Sequence, residues 1–495
     1  MKTSAIIAFS IAVMLSSVVS APAGAQSSQQ PMVAWIHHPV SAKAQAQAAF
    51  DRGLLDYYAY NPEAAEHEFY TAADLDRHLA MAYWGIALSN APNLNVGRTD
   101  DRADQAREAI EQAKTLEQYA SAEDRALIDA AAARFDDTTK KSQPALLADY
   151  RDALKQIAAA YPSDPDAATL WLEAALYVAV GDFGVDTDAA RAARVAQTAA
   201  LLPLFQSSLS KFPNHVGLLH FYIHAAQLAD QSPVAVAAAR HLAAFTFRPE
   251  DSHLTHMPGH IFLDVGMYDA ALAVARRSVA MDFADFACCH PGYYSGPRYY
   301  HDHNVSFLLY ALTETGHSAE AVSAARREDN PYFLAVALVA AHDWQAVLSV
   351  PHEKGESRTI AFSRGLAYAK LGNAAKAQAA LGEIPNDADG SRYNAAIVEA
   401  MRLTLSGEIA LLQQDDAKAL TLLTQASAAA EKARQIGGPE YPALYYYSPH
   451  MALAQLAVQL GKIDVAKAAL AAELSASPRS PAALNALAQL GTVSR

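Results

Sequence analysis

The turns of this chain repeat one local pattern, a glycine followed five residues later by an alanine. The pairs are Gly266 and Ala271, Gly316 and Ala321, Gly372 and Ala377, and Gly461 and Ala466. Glycine adopts the left-handed conformation after the last turn of a helix without steric cost, and a small residue in the following helix lets the two helices cross closely. Because each such hairpin leaves one apolar face uncovered, successive hairpins must stack on one another.

The rest of the sequence has the same helical character. Alanine and leucine recur at helical spacing, and short segments with Gly, Pro, Asn or Asp separate the helices. Ala65 and Phe69 have the A-x3-F spacing of the second helix of a tetratricopeptide (TPR) hairpin, and residues 80–85 open the next helix. We therefore predict an all-α fold, a TPR-like α-solenoid in which stacked hairpins form a superhelix over residues 26–495.

Two local expectations concern the segments between helices. Prolines 162, 165, 203, 213 and 249 are expected at hairpin ends, because proline disrupts the interior of a helix. Residues 282–298 contain Cys-Cys-His-Pro-Gly, Ser-Gly-Pro and several tyrosines, which indicates a long loop. Long loops of this kind often cover a functional face.

The first 25 residues have the pattern of a secretory signal peptide. Lys2 provides the positive start, residues 5–19 form an apolar run, and Ala23 and Ala25 fit the small-residue cleavage pattern. The apolar run is short for a membrane span, and no later window holds the roughly eighteen uninterrupted apolar residues that a transmembrane helix needs. We expect an exported protein, periplasmic or secreted, whose mature part begins near Gln26.

Charge and cysteine content exclude several classes of protein. The formal net charge is -14, from 38 basic and 52 acidic residues, which argues against nucleic acid and disfavours an anionic membrane surface. The only two cysteines, Cys288 and Cys289, are adjacent, so a disulfide framework is excluded. Three interpretations remain for this pair: a vicinal disulfide, soft metal ligands together with His290, or two small buried residues.

Histidines cluster between positions 215 and 303, where more than half of the 18 histidines of the chain lie. His220 and His224 are four residues apart, so a helix places both imidazoles on one face. The glutamate of an H-E-x-x-H motif is missing between them. His253, His256 and His260 also have the offsets of one helical face.

Two further features accompany this stripe of histidines. Pro258 lies inside it and must either kink the helix or start a new one, because an interior proline costs roughly 3 kcal/mol or more. His301 and His303 flank Asp302 in an H-x-H pair, which can bind a metal ion from an extended segment with Asp302 as a further ligand or as a partner that orients a ring. A histidine on an amphipathic helix is often a packing residue, so packing stays open beside metal binding for all of these positions.

The histidine motifs resemble those of a family of exported bacterial TPR proteins. The family motif H-x-x-H-M-P-x-H-I matches residues 253–261, Tyr222 to His224 match Y-x-I-H in a compressed form, and His303 with Asn304 follows a tyrosine-rich segment as in the family. The resemblance implies a superhelical repeat fold with inward-facing histidines. It implies no reaction, substrate or metal, and the segment around His37 and His38 differs from the family pattern.

The leading functional hypothesis is a histidine-rich transition-metal site inside the superhelix, in a metalloenzyme of unknown substrate or in a metal carrier. The candidate ligands are His215, His220, His224, His253, His256, His260, His301 and His303. Many polar rings in an apolar stack need partners, and a metal ion satisfies several at once. Imidazole ligands suit copper, zinc or iron, and export favours copper or zinc over ferrous iron. Tyr299, Tyr300 and Asn304 are candidate substrate contacts.

Two other functions stay open. The chain can be a scaffold without metal, whose concave groove binds a peptide or protein partner, which is the common use of TPR arrays. It can also be an assembly whose histidines respond to pH. Phosphate-binding loops and nucleophile elbows do not occur in the sequence. Glu173 is a charged residue in an apolar helix, which we expect on a solvated face, with an interior acid or base as the alternative.

Overall fold

The computed structural model describes residues 32–41, 43–95, 100–136, 138–181, 187–288, 297–352, 357–385, 391–437 and 446–493. The signal peptide expected at residues 1–25 lies outside these ranges, as do Cys289 and His290. Cys288 is included only as the last residue of a helix. Within the ranges, the search for a helix long and apolar enough to cross a membrane finds none.

Helices make up most of these ranges, in agreement with the predicted all-α fold. The first twelve are α1 (Ala44–Tyr58), α2 (Pro62–Leu75), α3 (Ala80–Ser89), α4 (Asp100–Leu116), α5 (Ala122–Phe135), α6 (Gln143–Ala160), α7 (Pro165–Val180), α8 (Asp188–Lys211), α9 (Val216–Leu228), α10 (Val236–Ala243), α11 (Ser252–His256) and α12 (Pro258–Asp264). The next twelve are α13 (Tyr268–Cys288), α14 (Pro297–Glu314), α15 (Ser318–Ala325), α16 (Pro331–Ala340), α17 (Trp344–Val347), α18 (Arg358–Lys370), α19 (Ala374–Glu383), α20 (Arg392–Leu412), α21 (Asp416–Gly437), α22 (Pro449–Gln459), α23 (Ile463–Ala476) and α24 (Pro481–Val493). Short 3-10 turns lie at Glu117–Tyr119, Ser232–Ala235 and Pro249–Asp251, and two short strands, β1 (Met32–Val33) and β2 (Phe245–Thr246), pair in parallel.

The glycine turns have the predicted geometry. Gly266, Gly316, Gly372 and Gly461 all have positive φ angles, between 68° and 83°. The amide after each glycine bonds to a carbonyl near the end of the preceding helix, as from His317 to Leu312 at 2.7 Å. This is the bonding of a Schellman turn, which ends one helix and directs the chain into the next.

The same turn occurs where the sequence has no glycine. Tyr60, Asp230, His342 and Gln414 have positive φ angles between 53° and 63°, and the residue after each makes the equivalent hydrogen bond, as from Asn61 to Asp56 at 3.0 Å. The hairpin repeat therefore extends beyond the positions that the glycine pattern marks.

Helices that follow one another in sequence pack side by side, and small residues allow close contact. Many alanines on the inner faces are fully buried, among them Ala49, Ala65 and Ala72. The buried side chains form three successive clusters along the solenoid rather than one central core. This is the packing expected when each hairpin covers its apolar face with the next. The chain is an α-solenoid of stacked helical hairpins.

Contacts distant in sequence join the first hairpin to the centre of the chain. Helix α1 lies against α9, where a β-carbon on Gly217 would come within 2.9 Å of the ring of Tyr58. The side chain of Asn61 donates a hydrogen bond to the carbonyl of Glu250 at 2.9 Å. The β1–β2 pair reinforces this contact. The end of α1 thus lies beside the histidine-rich helices.

The C-terminal hairpins also return to the centre. The hydroxyl of Tyr268 donates to the carbonyl of Pro478 at 2.8 Å, and the hydroxyls of Tyr310 and Ser477 lie 2.7 Å apart. The turn between α23 and α24 is therefore in contact with the turn between α12 and α13.

The expectation of a long loop over residues 282–298 is wrong at both ends. Helix α13 continues to Cys288, and α14 already begins at Pro297. Asp282 is 4% exposed and accepts hydrogen bonds from His301 and Asn304 on α14. These buried contacts hold the end of α13 in helical conformation.

Pro203 does not mark a hairpin end, because α8 continues through it. Its neighbours Leu202 and Phe205 are buried, and burying each such side chain contributes roughly 1.5–3 kcal/mol, enough to offset the cost of an interior proline. Pro258 follows the second of the two expected alternatives, since it is the first residue of α12.

Candidate metal centre

Helices α9, α11, α12 and α14 bring six histidines together in the interior of the solenoid. His220, His224 and His253 form one group, which we call the first triad, and His256, His260 and His303 form another, the second triad. In each triad, one ring nitrogen of every residue lies within 4.8 Å of a ring nitrogen of the other two. Six of the eight histidines that the sequence predicts as ligands thus fall into two groups of three.

The first triad lies between α9 and α11. The Nε2 atoms of His220 and His224 are 3.0 Å apart, as their spacing on one helical face predicts. The Nδ1 atom of His220 donates a hydrogen bond to the carbonyl of Tyr58 at 2.7 Å, which leaves Nε2 with its lone pair. The ring of His253 completes the group, with its centroid 5.0 Å from that of His220.

The second triad lies between α11, α12 and α14. The Nε2 atom of His260 is 2.8 Å from Nε2 of His256 and 3.2 Å from Nε2 of His303. The buried ring of Phe307 lies 4.5 Å from the rings of both His256 and His260. Three nitrogens therefore converge against an apolar wall.

The two triads are in direct contact with each other. The rings of His253 and His256 are nearly parallel, with centroids 6.0 Å apart. Tyr60 covers the first triad, with its ring 4.8 Å from His220 and 5.9 Å from His253. The six imidazoles form one continuous group.

Burial lowers the pKa of every imidazole in the two triads. The pKa of His224 falls to about 3 and that of His303 to about 4, in both cases chiefly because the charged form loses its hydration. The pKa values of the other four are also well below 6.5, first from burial and then from neighbouring imidazoles. The rings are therefore neutral at pH 7, which is the form that binds metal ions.

Several buried ring nitrogens lack a hydrogen bond within the described residues. The Nδ1 atoms of His253, His256 and His260 have no hydrogen-bond partner in the part of the chain that the structure describes. An unsatisfied buried polar group costs roughly 1–3 kcal/mol. These Nδ1 atoms are not the Nε2 atoms of His256 and His260 that converge in the second triad, so an ion held there would not satisfy them. The argument for metal binding is the convergence itself, since a set of neutral imidazoles fits copper or zinc.

His215 lies outside both triads, although it was a candidate ligand. Its Nδ1 atom accepts a hydrogen bond from the amide of Leu218 at 3.2 Å and so caps the start of α9. Its Nε2 atom is 3.0 Å from a carboxylate oxygen of Asp166. Both ring nitrogens are occupied, and His215 holds helices together rather than facing the triads.

His301 is also separated from the triads. Its Nδ1 and Nε2 atoms lie 3.1 Å from Asp282 and 2.9 Å from Glu328. Burial alone would lower the pKa of His301, but the hydrogen bonds to these two carboxylates raise it to about 9. A protonated imidazole has no free lone pair for a metal ion. Since α14 is helical and not extended, residues 301 and 303 face different sides.

The candidate substrate contacts have different positions. The ring of Tyr300 lies 4.5 Å from that of His253, and its hydroxyl accepts a hydrogen bond from Asn95 at 3.3 Å, so Tyr300 borders the first triad. Asn304 is buried and donates to Asp282 at 2.9 Å, beside His301. The side chain of Tyr299 lies outside the described residues.

Sequence reasoning missed a third polar cluster around His38. Its Nε2 atom is 3.0 Å from Asp124, and its Nδ1 atom is 3.4 Å from Asp166 and 3.7 Å from Asp164. Burial lowers the pKa of His38, but hydrogen bonds to the carboxylates raise it well above 6.5 overall. The carboxylates that contact the ring of His38 lie at least 86 residues away in the chain, so no local spacing predicts the cluster.

This cluster supports the first triad indirectly. The hydroxyl of Tyr58 donates to Asp166 at 2.8 Å, while the carbonyl of Tyr58 accepts the hydrogen bond from His220. Asp166 therefore holds Tyr58 in place, and Tyr58 in turn sets the tautomer of His220. The outer partners of metal-binding histidines commonly have this role.

The expectation that Glu173 lies on a solvated face is wrong. Its side chain is buried, one carboxylate oxygen accepts a hydrogen bond from Tyr57 at 2.8 Å, and the other has no partner within the described chain. Burial raises the pKa of Glu173 to about 7. Burial also raises the pKa of the Tyr60 hydroxyl, and the nearby carboxyl of Glu173 raises it further. An interior polar region thus borders the first triad through Tyr60.

Comparison with known proteins gives only distant likenesses. The TPR domain of P58(IPK) is 12% identical over 84% of this chain and 98% of that chain, with a TM-score of 0.24. The human IFIT1 dimer with PPP-AAAA is 10% identical over 92% and 96%, with a TM-score of 0.31, and yeast Tom70 is 11% identical over 92% and 96%, with a TM-score of 0.33. No protein-family model and no curated protein matches the chain. The fold assignment rests on the hairpins of the chain itself.

Proposed function

We propose that this protein binds transition-metal ions at the first and second triads. The observation that carries the proposal is the convergence of three neutral imidazoles at each of two places. A groove that binds a peptide needs side chains spread along an open surface, whereas all the first-triad rings are buried and those of the second triad are buried or half-buried. Convergence and burial together favour metal coordination over peptide contact.

Zinc and copper are the ions that the donor set favours, and the export that the first 25 residues predict would be consistent with either. Three protein ligands leave an open position on a bound ion, and an ion with such a position can polarise a substrate or activate water. The surrounding residues have defined roles. Tyr58 orients His220 through its carbonyl, while Phe307 forms an apolar wall beside the second triad. We propose that the chain is a metalloenzyme or a metal carrier, with Tyr300 beside the first triad as a contact for substrate.

A scaffold function is the second candidate, and a surface groove supports it. The groove lies between the segment before α1 and the segment after α10, and Trp35 and Phe247 contribute to its lining. Trp35 is 69% exposed, and exposed aromatic side chains are typical of binding surfaces. This groove differs in character from the triads, since it is open and not rich in histidine.

The proposal is tested by elemental mass spectrometry on protein purified from the exported fraction without a histidine tag. We expect stoichiometric copper or zinc in the wild-type protein and a clear loss in the variant His256→Ala/His260→Ala, which removes the second triad. The control is His67→Ala, because His67 is exposed on α2, and it should retain the full metal content. Wild-type protein that contains no metal and takes up none on addition of copper(II) or zinc(II) would leave the scaffold function as the better explanation.

A further inference from the structure

The two triads are in direct contact with each other. His253 and His256 belong to different triads but are three residues apart on α11, and their ring centroids lie 6.0 Å apart. The Nε2 atoms of His256, His260 and His303 converge immediately beyond this pair of rings. Two ions bound at these places would therefore be close neighbours.

Three protein ligands leave the coordination of each ion incomplete. Each triad offers three nitrogens, whereas zinc and copper sites complete their coordination with at least one further ligand. Two-metal sites in proteins typically hold their ions roughly 3.5–4 Å apart, a separation that one small ligand spans. A single bridging ligand would complete both triads at once.

Charge favours an anionic bridge. Within the described residues, both triads consist of neutral histidines, without a carboxylate among the grouped ligands. The nearby carboxylates of Asp282 and Glu328 are engaged by His301, and Asp166 is engaged by His215. Two cations in a buried setting repel each other strongly unless negative charge lies between them. The described triads supply no such charge, and a bound anion would supply it.

We infer that the two triads form one dinuclear centre whose ions share a small bridging anion, such as hydroxide. The inference rests on the proposed metal binding and specifies its stoichiometry and the chemical class of the additional ligand. The aromatic rings of Tyr60 and Phe307 pack directly on the two triads, which favours a small anion over a large one.

The experiment is a titration of metal-free protein with copper(II), followed by electron paramagnetic resonance and by elemental analysis after removal of loosely bound ions with a chelator. Two copper(II) ions joined by one bridging ligand couple their unpaired spins, and the resonance signal disappears. We expect two retained ions per chain and a signal far below that of two isolated ions. Azide, a small linear anion, should replace the bridge and produce a new visible absorption band at one azide per pair.

Variants that remove a ligand from one triad distinguish the pairing of two ions from the binding of a single ion. His224→Ala removes a ligand of the first triad only, and His303→Ala removes a ligand of the second, where the side chain is half-buried and easier to replace. Each variant should retain one ion with the full signal of an isolated copper(II), and should lose the azide band. His67→Ala should behave as the wild type.

The outcomes distinguish the two proposals. Two retained ions with the full signal of two isolated centres would overturn the dinuclear centre and leave metal binding intact, and a single retained ion in the wild type would do the same. Absence of retained copper in the wild type would overturn both. Because the wild-type titration decides between these results without any variant, a folding defect in a variant leaves the answer unchanged.

Discussion

Tyr60 shows how one side chain links the fold to the candidate site. It occupies the left-handed position of a hairpin turn, where four other hairpins have glycine. A residue with a β-carbon costs roughly 1–2 kcal/mol in this conformation. The ring of Tyr60 packs on His220, His224 and His253. The strained backbone therefore occurs at a position where the side chain covers the first triad.

Glu173 makes the stability of the protein depend on pH. Its pKa is raised from an ordinary value of 4.5 to about 7 by burial, so the folded protein keeps a proton that the unfolded chain has already released. The contribution of Glu173 to the free energy of unfolding should therefore be largest below pH 4.5. It should be lost as the pH rises through 7. The shift corresponds to a loss of up to about 3 kcal/mol.

Replacement of Glu173 by glutamine should remove this pH dependence. The amide keeps an oxygen that can accept the hydrogen bond of Tyr57 but cannot ionise. We expect Glu173→Gln to be more stable than the wild type at about pH 8, by up to about 3 kcal/mol, and to differ little at about pH 4.5. Urea unfolding of metal-free protein at both pH values measures the difference.

The control for this experiment is Glu399→Gln, an exposed glutamate on α20. It should leave the pH dependence of unfolding as it is in the wild type. Equal behaviour of the two variants at the higher pH would contradict a buried, protonated Glu173.

The contact between α1 and α9 depends on the absence of a side chain at one position. A β-carbon on Gly217 would lie 2.9 Å from the ring of Tyr58 and 3.1 Å from Thr169. Tyr58 is fully buried and has no room to move away. The close approach of these helices is what brings the carbonyl of Tyr58 to His220.

Gly217→Ala should therefore affect both stability and the site. We expect the free energy of unfolding to fall by about 1–3 kcal/mol from overpacking, together with weaker retention of metal at the first triad, because Tyr58 no longer orients His220. Denaturant unfolding measures the first effect, and competition with a chelator measures the second.

Gly382→Ala is the matched control, because Gly382 lies in α19 with no atom within 4 Å of an added β-carbon. There alanine should stabilise the helix by up to about 1 kcal/mol, since it has the higher helix propensity. A destabilisation at Gly382 as large as that at Gly217 would show that close packing of α1 and α9 is not the cause.

The C-terminal hairpins contact the centre of the solenoid at Gly266. An added β-carbon on Gly266 would lie 2.0 Å from the carbonyl oxygen of Pro478, and the hydroxyl of Tyr268 bonds to the same carbonyl. The turn at Gly266 directly follows α12, which carries His260. The C-terminal hairpins are therefore in contact with the elements that hold the second triad.

Gly266→Ala should open this contact. Alanine is strained in the left-handed conformation and here also collides with backbone, which cannot rotate away as a flexible side chain can. We expect faster amide hydrogen exchange in α24 and in the turn before it, together with lower overall stability. Exchange measured by mass spectrometry on peptides from this region tests the expectation.

Gly316→Ala separates backbone strain from the collision. Gly316 has a similar φ angle of 77°, but no atom lies within 4 Å of an added β-carbon. It should lose stability from strain while exchange in α24 stays at the wild-type rate. Faster exchange in both variants would refute a specific role of the contact at Pro478.

Much of the fold was predictable because it depends on the spacing of residues close together in the sequence. The turns at Gly266, Gly316, Gly372 and Gly461 were predicted and are confirmed. The turns at Tyr60 and the other non-glycine positions were not, since a strained residue there is tolerated only in the packed structure. The long α13 was missed because its end is held by contacts to α14, which no local pattern encodes.

The sequence by itself determined the helices, the hairpin turns and which histidines share a helical face, because the α-helix relates residues three and four apart in a fixed way. Only the tertiary structure decided that His253 joins His220 and His224 while His256 and His260 join His303, and that His215 and His301 pair with carboxylates instead. It also decided that Glu173 is interior and that His38 belongs to a polar cluster. These outcomes depend on how successive hairpins pack and on long-range contacts between them, which bring together residues far apart in the chain.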